Sequence, residues 1–439
     1  MIVYSADWLI QSADLVNKDY GILVDGGKVT AVRSRMELEE MCSRGEAEEG
    51  GHFHVLAPGF INAHMHQYGL LSHGIPIHVE IKDFEDFLWK FWWPFMEDRI
   101  RCKDVLVTSR ASAAELIESG VTGFCDTLEA PRCEPGTLIK QAKVIEQIGM
   151  RAVLSLESCE RIDEENGQYC LEENEKLIRW AKEHSSLVSG AFCTHTSFTC
   201  SPDFMKKAAC LAEELDSLWQ FHLSESRYES DYTQKHFGKR PVHHYENEGL
   251  LSSRVVASQC VKVDETEIPL LKKYSVRPVH MPVSNCEVGG GFSPVPEMLE
   301  AGLPVSIGTD GYENDFLTTI RMAFLIHKAV KEDPSVLPAK EIFRMATEYG
   351  ARALGWEDCG TLESGKNADF FCMDTSFPTP LREENLFDQI IVFGKKEYIS
   401  HVYCGGKALM ENRELTTLDR DAVKKEMAAC AEEFWRPLL

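Results

Sequence analysis

The stretch Pro58-Gly59-Phe60-Ile61-Asn62-Ala63-His64-Met65-His66 is an apolar run that ends in two histidines, one residue apart. If this run is a β-strand, the side chains of His64 and His66 point to the same side, because residues two apart share a face. Neutral imidazole is the commonest metal ligand in proteins, and a catalytic metal takes about three or four protein ligands. The stretch therefore predicts half of a metal site.

A chance pair of histidines on a loop is the alternative, so the rest of the chain has to supply partners. Strand-like apolar runs alternate with amphipathic helical segments, which is typical of repeated βα units. Eight such runs occur, at residues 60–66, 121–126, 152–157, 188–194, 218–222, 254–258, 276–280 and 304–310. Eight parallel strands close a TIM-type (β/α)8 barrel, whose active site lies at the carboxyl ends of the strands. The predicted fold class is therefore α/β.

Short strand-like runs also occupy both ends of the chain. Near the start, Asp25-Gly26-Gly27-Lys28 separates two of them, which is typical of a β-hairpin. We therefore predict a small composite β-sandwich domain formed by both chain ends. The predicted division is 1–57 and 368–412 for the two sandwich parts, 58–367 for the barrel, and 413–439 for a C-terminal helical segment whose helix runs from about Asp419 to Trp435.

Composition excludes several classes of function. The 439 residues carry a net charge of −24 without a basic tract, which disfavours nucleic-acid and anionic-membrane partners. The first ten residues do not resemble a secretory signal, and no window of about 18 apolar residues predicts a membrane span. The 15 cysteines include no Cys-x-x-Cys pair, which argues against a zinc knuckle or disulfide framework. We expect a cytoplasmic protein.

Polar residues lie at the ends of the fifth and eighth predicted strands. His222 ends the fifth strand, with Glu225 just beyond it, and Asp310 ends the eighth. A barrel would bring them to the same mouth as His64 and His66. Three histidines and one aspartate suit a mononuclear site for a zinc-like divalent ion. Taken singly, each residue could be structural, but their joint position at strand ends favours a metal site.

Glu225 lies just beyond the third predicted ligand, His222, on the turn after the strand. There its carboxylate could reach a water molecule activated by the metal without binding the metal itself. A carboxylate in that place can carry the proton of the water to a leaving nitrogen. Asp310 could both bind the metal and accept the first proton. Glu225 and Asp310 are therefore the candidate catalytic residues.

These motifs resemble the amidohydrolase superfamily, over nearly the whole chain. The resemblance is strongest to the mononuclear-metal deaminase and chlorohydrolase (ATZ/TRZ) branch, and within it to the SsnA-type aminohydrolases. The runs that carry it are residues 58–66, 222–225, 308–312, 346–355, 365–369 and 379–385, with the C-terminal helix. The resemblance implies a metal-dependent barrel with a composite β-sandwich, hydrolysis of C–N bonds of nitrogen heterocycles, a common link with purine breakdown, and usually a homodimer.

Residue by residue, the resemblance implies that His64, His66, His222 and Asp310 are the metal ligands, and that Glu225 is the proton shuttle. It also implies substrate contacts for two further histidines. His195 lies in the substrate motif of the fourth strand, and His280 opens the motif after the seventh strand. No lysine ends the fourth strand, which disfavours the branch that bridges two metals with a carbamylated lysine.

The sixth strand departs from the family pattern. It ends Ser258-Gln259-Cys260, where the family normally has Ala-His-Cys. A glutamine amide donates a hydrogen bond but does not carry a proton at neutral pH. Three explanations remain open for Gln259: the chemistry tolerates a neutral donor, the substrate supplies the missing group, or the protein binds its ligand with weakened catalysis.

Residues 83–95 form a candidate lid over the predicted metal site. Their phenylalanine stripe is best explained as core packing, whereas Trp89 and Trp92 could offer an indole face to a flat heterocycle. Gln67 and Tyr68 directly follow the paired histidines and are candidates to contact the polar edges of such a ring. Surface exposure is the alternative for these last two residues.

The sequence thus predicts a hydrolytic deaminase that acts on an amino-substituted purine-, pteridine- or triazine-like heterocycle and releases ammonia. One divalent metal ion is expected, with zinc preferred over iron. One alternative is removal of chloride or an alkylamine from an aromatic heterocycle. Another is a catalytically weakened binding protein. The presence of Glu225 favours nitrogen leaving groups, because these need a proton and chloride does not.

Overall fold

Two β-sheets organise the chain, and one of them combines both chain ends. The structure is a computed structural model that describes residues 1–374 and 377–438. Residues 375 and 376, within the predicted sandwich part 368–412, and residue 439, at the end of the predicted segment 413–439, lie outside the described residues. The predicted domain boundaries stay predictions.

The amino-terminal strands form one half of the mixed sheet. They are β1 (Ile2–Ser12), β2 (Leu15–Asp25), β3 (Lys28–Ser34) and β4 (Glu48–Pro58), with helix α1 (Arg35–Ser43) before the last. Strands β2 and β3 pair antiparallel across Gly26 and Gly27, whose φ angles are 54° and 79°. A tight two-residue turn of this type needs positive φ at both positions, so glycine is suited to both. The predicted hairpin is confirmed.

Eight parallel strand positions in chain order form the barrel, and each contains part of a predicted strand. The strands are β5 (Phe60–Met65), β6 (Val121–Leu128), β7 (Arg151–Ser158), β8 (Val188–Gly190), β9 (Phe192–Thr194), β10 (Trp219–Leu223), β11 (Val255–Gln259), β12 (Arg277–His280) and β13 (Ser306–Ile307). Strands β8 and β9 together make the fourth position. A parallel bridge between Met65 and Asp310 joins the first position to the eighth. The predicted barrel is confirmed.

Helices follow the barrel strands along the chain. They are α2 (Phe84–Asp86), α3 (Trp93–Phe95), α4 (Cys102–Glu118), α5 (Thr137–Ile148), α6 (Glu164–His184), α7 (Pro202–Glu214), α8 (Arg227–Phe237), α9 (Pro241–Asn247), α10 (Ile268–Lys273), α11 (Pro282–Glu287), α12 (Val295–Glu300), α13 (Phe316–Lys331), α14 (Ala339–Ala346) and α15 (Glu348–Ala353). The first two of them, α2 and α3, belong to the predicted lid. The start of helix α7 is set by its sequence. The Ser201 hydroxyl caps the helix by accepting a hydrogen bond from the Phe204 amide, and Pro202 is favourable in the first turn, where its missing N–H is not needed. Within the described residues, every helix is too short or too polar to cross a membrane.

The carboxyl-terminal strands complete the mixed sheet. They are β14 (Phe370–Met373), β15 (Ile399–Cys404), β16 (Lys407–Glu411) and β17 (Glu414–Leu415), with helix α16 (Leu386–Ile391) between the first two. Strand β14 pairs with β4, so the sheet runs β17-β16-β15-β14-β4-β1-β2-β3 and contains both chain ends, as predicted. The last helix, α17 (Arg420–Trp435), begins where predicted, because the Asp419 carboxylate accepts from the amides of the first turn.

A buried ion pair joins the mixed sheet to the barrel. Arg151, the first residue of β7, places its Nε 3.0 Å from Oδ2 of Asp369, which directly precedes β14. The two side chains are only 12% and 5% exposed. The other carboxylate oxygen of Asp369 accepts from the amide of Gly405, at 2.6 Å. Asp369 therefore positions the turn before β16 as well as the start of β7.

We expect Asp369→Asn to lower the free energy of unfolding by about 3 kcal/mol, because it leaves the Arg151 charge buried without its partner. Urea unfolding followed by circular dichroism measures this change. Asp358→Asn is the matched control, since Asp358 pairs with Lys28 at 2.7 Å on the surface, where both side chains are about half exposed. Its expected cost is below about 1 kcal/mol. Equal costs for the two variants would contradict a structural role for the buried pair.

Candidate active site

The barrel brings the four predicted metal ligands together at the carboxyl ends of its strands. Nε2 of His64 lies 3.3 Å from Nε2 of His66, which in turn lies 3.2 Å from Oδ1 of Asp310. His222 joins the group from strand β10, and ligand atoms of the three histidines lie within 4.8 Å of one another. All four side chains are buried, between 1% and 7% exposed. The site is therefore screened from bulk water.

Backbone hydrogen bonds between the first and eighth barrel positions place Asp310 beside the paired histidines. The amides of Thr309 and Asp310 both donate to the carbonyl oxygen of His64, at 3.0 and 3.2 Å. The Asn62 side chain donates to the Thr309 hydroxyl, at 2.8 Å. Asp310 itself has a φ angle of 64°, a left-handed conformation that is unfavourable for most residues other than glycine. Such strain is typical of functional sites.

Neighbouring polar groups orient two of the imidazoles. Nδ1 of His66 lies 2.7 Å from the carbonyl oxygen of Thr127, so Nδ1 carries the proton and donates it. Nδ1 of His64 lies 2.8 Å from the hydroxyl of Ser258, on strand β11. In both histidines, Nε2 is thereby directed to the centre of the site. This is the arrangement by which proteins orient metal-ligating histidines.

The carboxylate of Asp310 is oriented in the same way. Its Oδ2 accepts from the Gln259 amide at 2.5 Å and from the Ser284 hydroxyl at 2.8 Å. Its Oδ1 accepts from the Gly311 amide and lies 3.2 Å from His66. Gln259, predicted to contact substrate, is therefore placed with its side-chain amide on the Asp310 carboxylate. Ser284 was not predicted from the sequence.

The donor set fits a divalent metal ion. Nitrogen and oxygen ligands bind zinc at about 2.0–2.2 Å, so neighbouring ligand atoms around one ion lie about 3–3.5 Å apart. The distances of 3.3 Å from His64 to His66 and 3.2 Å from His66 to Asp310 lie in this range. Three imidazoles and one carboxylate are also the ligand types that suit zinc. The predicted metal-binding character of the site is consistent with these distances.

The pKa values of the candidate ligands also favour a cation at the centre. Burial lowers the pKa of His66, but the Glu129 and Asp310 carboxylates outweigh burial and raise this pKa to about 10. Burial raises the pKa of Asp310, yet the hydrogen bond and charge of His66 outweigh it and hold this pKa well below its usual value. Burial and the neighbouring histidines lower the pKa of His64. The centre therefore favours a positive charge held between carboxylates, which a metal ion provides.

The turn after β10 directs Glu225 to the same centre. The Ser224 amide donates to Oε2 of Glu229 at 2.5 Å, and Ser224 has a φ angle of 52°. This tight turn leaves Glu225 buried. Burial, together with the charges of Asp310 and Glu129, raises the pKa of Glu225 well above its usual value. A raised pKa favours the protonated form of this carboxyl group, which suits a residue that gives a proton to an acceptor in the site.

Two of the predicted substrate contacts lie beside the centre. The His195 ring is 5.5 Å from the His222 ring and 6.1 Å from the Trp93 ring, measured between centroids. The Trp92 indole N–H is shared between the Tyr68 hydroxyl, at 3.1 Å, and Oε2 of Glu129, at 3.3 Å. His195 and Trp92 thus form part of the wall around the metal ligands.

Three of the predicted substrate contacts have other surroundings in the structure. Gln67 accepts from the side chain of Gln141, on the outer helix α5, at 3.1 Å. Nε2 of His280 lies 3.1 Å from Nε2 of His327, on the outer helix α13. Trp89 is 55% exposed. For these three residues, the structure shows contacts with the outer layer or with solvent.

The predicted lid consists of three short helical pieces. A π-helix, Phe87–Trp92, separates α2 from α3. Phe84 and Leu88 are buried, which agrees with core packing of one lid face. Trp92 stacks on Tyr312 with 6.0 Å between ring centroids, so the lid reaches across to the loop after the eighth barrel position. Short π-helical turns are often found at functional sites.

Two buried glutamates at the centre were missed by the sequence analysis. Glu129 directly follows β6, and Glu157 lies near the carboxyl end of β7. Oε1 of Glu129 is 3.8 Å from Nε2 of His66, and Oε2 of Glu157 is 3.8 Å from Nδ1 of His222. Their position near the ends of the second and third predicted strands could have identified them as site residues, because all barrel strands end at one mouth.

Comparison with known proteins places this geometry in a family. The family model for amidohydrolases matches residues 55–409. The chain belongs to the amidohydrolase family. It is 32% identical to a 5-methylthioadenosine/S-adenosylhomocysteine deaminase of Carboxydothermus hydrogenoformans over 410 residues, which cover 92% of each chain. It is also 32% identical to a 5'-deoxyadenosine deaminase of Methanopyrus kandleri over 425 residues, which cover 95% of this chain and 96% of the relative. The predicted family is confirmed.

Solved structures of other proteins share this fold. An adenosine deaminase from Xanthomonas campestris with bound zinc superposes with a TM-score of 0.87 at 25% identity, covering 99% of this chain and 98% of the other. The atrazine chlorohydrolase TrzN from Arthrobacter aurescens, complexed with zinc, superposes with a TM-score of 0.84 at 22% identity. This match covers 98% of this chain and all of the other, and at this identity it shows the fold alone.

We expect Ser258→Ala to weaken metal binding about 10- to 100-fold, because His64 loses the partner that orients its ring. Competition with a chelator, followed by metal analysis, measures this affinity. Ser306→Ala is the matched control, since Ser306 is also a buried barrel serine but donates to the Pro278 carbonyl. Equal metal affinity in the two variants would show that Ser258 does not position the ligand.

Proposed function

We propose that the protein is a hydrolytic deaminase that removes an amino group from a nitrogen heterocycle and releases ammonia, with zinc as its divalent ion. The observation that supports this most is the convergence of three histidines, Asp310 and the buried Glu225 at one barrel mouth. The predicted class, a hydrolase of C–N bonds, agrees with the family and with relatives that are named as deaminases.

The residues of the site divide into two roles. His64, His66, His222 and Asp310 would hold the ion. When bound, a divalent ion lowers the pKa of water and polarises the bond under attack. Glu225 has the second role, because a buried carboxyl group with a raised pKa beside the ligands is suited to delivering a proton to the substrate.

The position of Glu225 favours deamination over removal of chloride. An amino group leaves as ammonia only after it gains a proton, whereas chloride leaves as a stable anion. A buried carboxyl group with a raised pKa is suited to donating that proton. Purine-, pteridine- and triazine-like rings remain the proposed substrate class, since their amino-bearing carbons are suitable targets for this chemistry. Relatives named as adenosine-type deaminases support the purine-like member of this class.

The aromatic residues of the lid suit a flat substrate. Trp92 and Trp93 are both buried close to the centre, and the Trp93 ring meets the His195 ring edge to face at 6.1 Å. Aromatic side chains offer large flat surfaces for packing against a heterocycle. The candidate ligands and both tryptophans are buried, so we expect opening of the lid to admit the substrate.

Glu225→Gln should keep its metal and lose ammonia release by about 100- to 10,000-fold, since the amide cannot transfer the proton. A coupled ammonia assay on a panel of aminopurines and pterins, with metal analysis of the same samples, tests this. Glu348→Gln is the control, because Glu348 is partly buried and lies far along the chain, where it accepts from the Ala13 amide. Turnover within threefold of the wild type would refute the proton-transfer role.

Removal of the metal with a chelator should abolish ammonia release, and one equivalent of zinc per chain should restore it. The reason is that the four ligands converge on a single centre. Re-addition of iron in place of zinc distinguishes the two candidate metals. Full activity in metal-free protein would contradict the proposed function.

A further inference from the structure

A cavity of about 350 Å³ lies at the amino end of the barrel. Two of its lining residues show this position, because Arg277 begins β12 and Pro304 precedes β13 by two residues. The candidate metal ligands lie at the carboxyl ends of the strands, so the cavity and the candidate active site are at opposite ends of the barrel. Sites for small molecules usually have volumes of about 300–1,000 Å³, so the cavity is large enough for a ligand.

The charged side chains that line this cavity are all cationic. They are Lys272 at the end of α10, Arg277 on β12 and Arg352 on α15, and we call the cavity the basic pocket. Within the residues that the structure describes, no carboxylate lines it. The whole chain contains 70 carboxylate side chains and only 46 lysines and arginines, so a pocket lined by cations alone contrasts with the rest of the molecule.

The charge of the basic pocket is not balanced by ion pairs. The side chains of Lys272 and Arg352 form neither an ion pair nor a hydrogen bond with residues 1–374 and 377–438. Neighbouring cations differ in this respect, since Lys273 lies 3.0 Å from a carboxylate oxygen of Glu246 and Arg254 is paired in the same way. A structural role in ion pairing therefore explains the neighbours and does not explain the cations of the pocket.

The guanidinium of Arg277 is fixed on one side and keeps donors on the other. Its Nη1 donates to the carbonyl oxygens of Arg352 and Ala353, at 3.2 and 3.1 Å, where helix α15 ends. Capping of this helix accounts for Nη1 alone. Nε and Nη2 have no hydrogen-bond partner in the described part of the chain. A guanidinium oriented in this way offers a planar pair of N–H donors that matches two oxygen atoms of an anion.

The surroundings of Arg277 disfavour its charge in the protein alone. Burial lowers the pKa of this half-buried side chain, and the charges of Arg352 and Arg254 lower it further. Hydration is a sufficient explanation for exposed cations such as Lys272, but a half-buried guanidinium between like charges is unfavourable. An anion held among these side chains would stabilise all of them.

We propose that the basic pocket binds a phosphate group, carried by a small molecule or free in solution. A phosphate carries nearly two negative charges near neutral pH, so it suits a site of three cations better than a carboxylate does. Arg277 would bind two of its oxygens, and Lys272 would act as a point charge. The hydroxyls of Ser253 and Ser275 line the same cavity without a hydrogen-bond partner in the described residues, and they add donors. This site is separate from that of the proposed deamination.

Calorimetric titration of the holoenzyme with ribose 5-phosphate, inorganic phosphate and ribose tests the proposal. We expect ribose 5-phosphate to bind at least tenfold more tightly than ribose, because only the former carries the anion. Tighter binding of ribose 5-phosphate than of inorganic phosphate would assign the pocket to a phosphate ester, and the reverse order would assign it to free phosphate; both outcomes support the proposal. Equal affinity for ribose 5-phosphate and ribose would overturn it.

The double variant Lys272→Gln with Arg352→Gln should weaken binding of both phosphate probes at least tenfold. Both side chains are exposed and make no contacts that hold the fold, so the variant should remain folded. The matched control is Lys273→Gln with Arg179→Gln, which removes the same charge from two exposed side chains that form ion pairs elsewhere on the surface. Unchanged affinity in the first variant, or equal weakening in both, would overturn the proposal.

Ammonia release separates the basic pocket from the candidate active site. A phosphate bound at the metal would compete with an aminopurine substrate and would not respond to the double variant. Binding of that kind alone would overturn the proposal. The double variant should release ammonia at a rate within threefold of the wild type in phosphate-free buffer. Phosphate binding that depends on Lys272 and Arg352 in a protein that never releases ammonia would refute the proposed deamination and keep the basic pocket.

Discussion

The hydrogen bonds from the Thr309 and Asp310 amides to the His64 carbonyl are the contact on which the candidate site depends. They join the last barrel position to the first, and they place the Asp310 carboxylate beside the His66 ring. Residues about 245 positions apart in sequence thereby share one centre. A barrel that failed to close here would separate the carboxylate from the imidazoles, so barrel closure and metal-site formation are one structural event.

The sequence predicted that the four candidate ligands meet because each lies at the end of an apolar run, and hydrophobic periodicity is a strong signal for buried parallel strands. It did not predict which way each side chain turns after its strand. His195 directly follows β9 and His280 ends β12, yet His195 lies beside His222 whereas His280 meets His327 on an outer helix. Contacts such as Ser284 with Asp310 depend on the pairing of distant segments, which a local pattern does not contain.

The lid shows a second limit of pattern analysis. A spacing of 3.6 residues per turn puts Trp89 and Trp92 on one face, but residues 87–92 form a π-helix with wider turns. Trp92 is therefore buried at the centre, while Trp89 is largely exposed. The missed glutamates have a different cause, because Glu129 and Glu157 match no ligand motif and only the closed barrel brings their carboxylates to the imidazoles of His66 and His222.

The indole N–H of Trp92 connects the lid to Glu129 and Tyr68. Any movement that swings Trp92 outward removes one donor from a buried carboxylate, so opening carries an electrostatic cost. A cation held beside His66 would offset that cost, because it stabilises the neighbouring Glu129 carboxylate when the indole leaves. Lid position and occupancy of the candidate metal site are then thermodynamically linked, and each must bias the other by the same free energy.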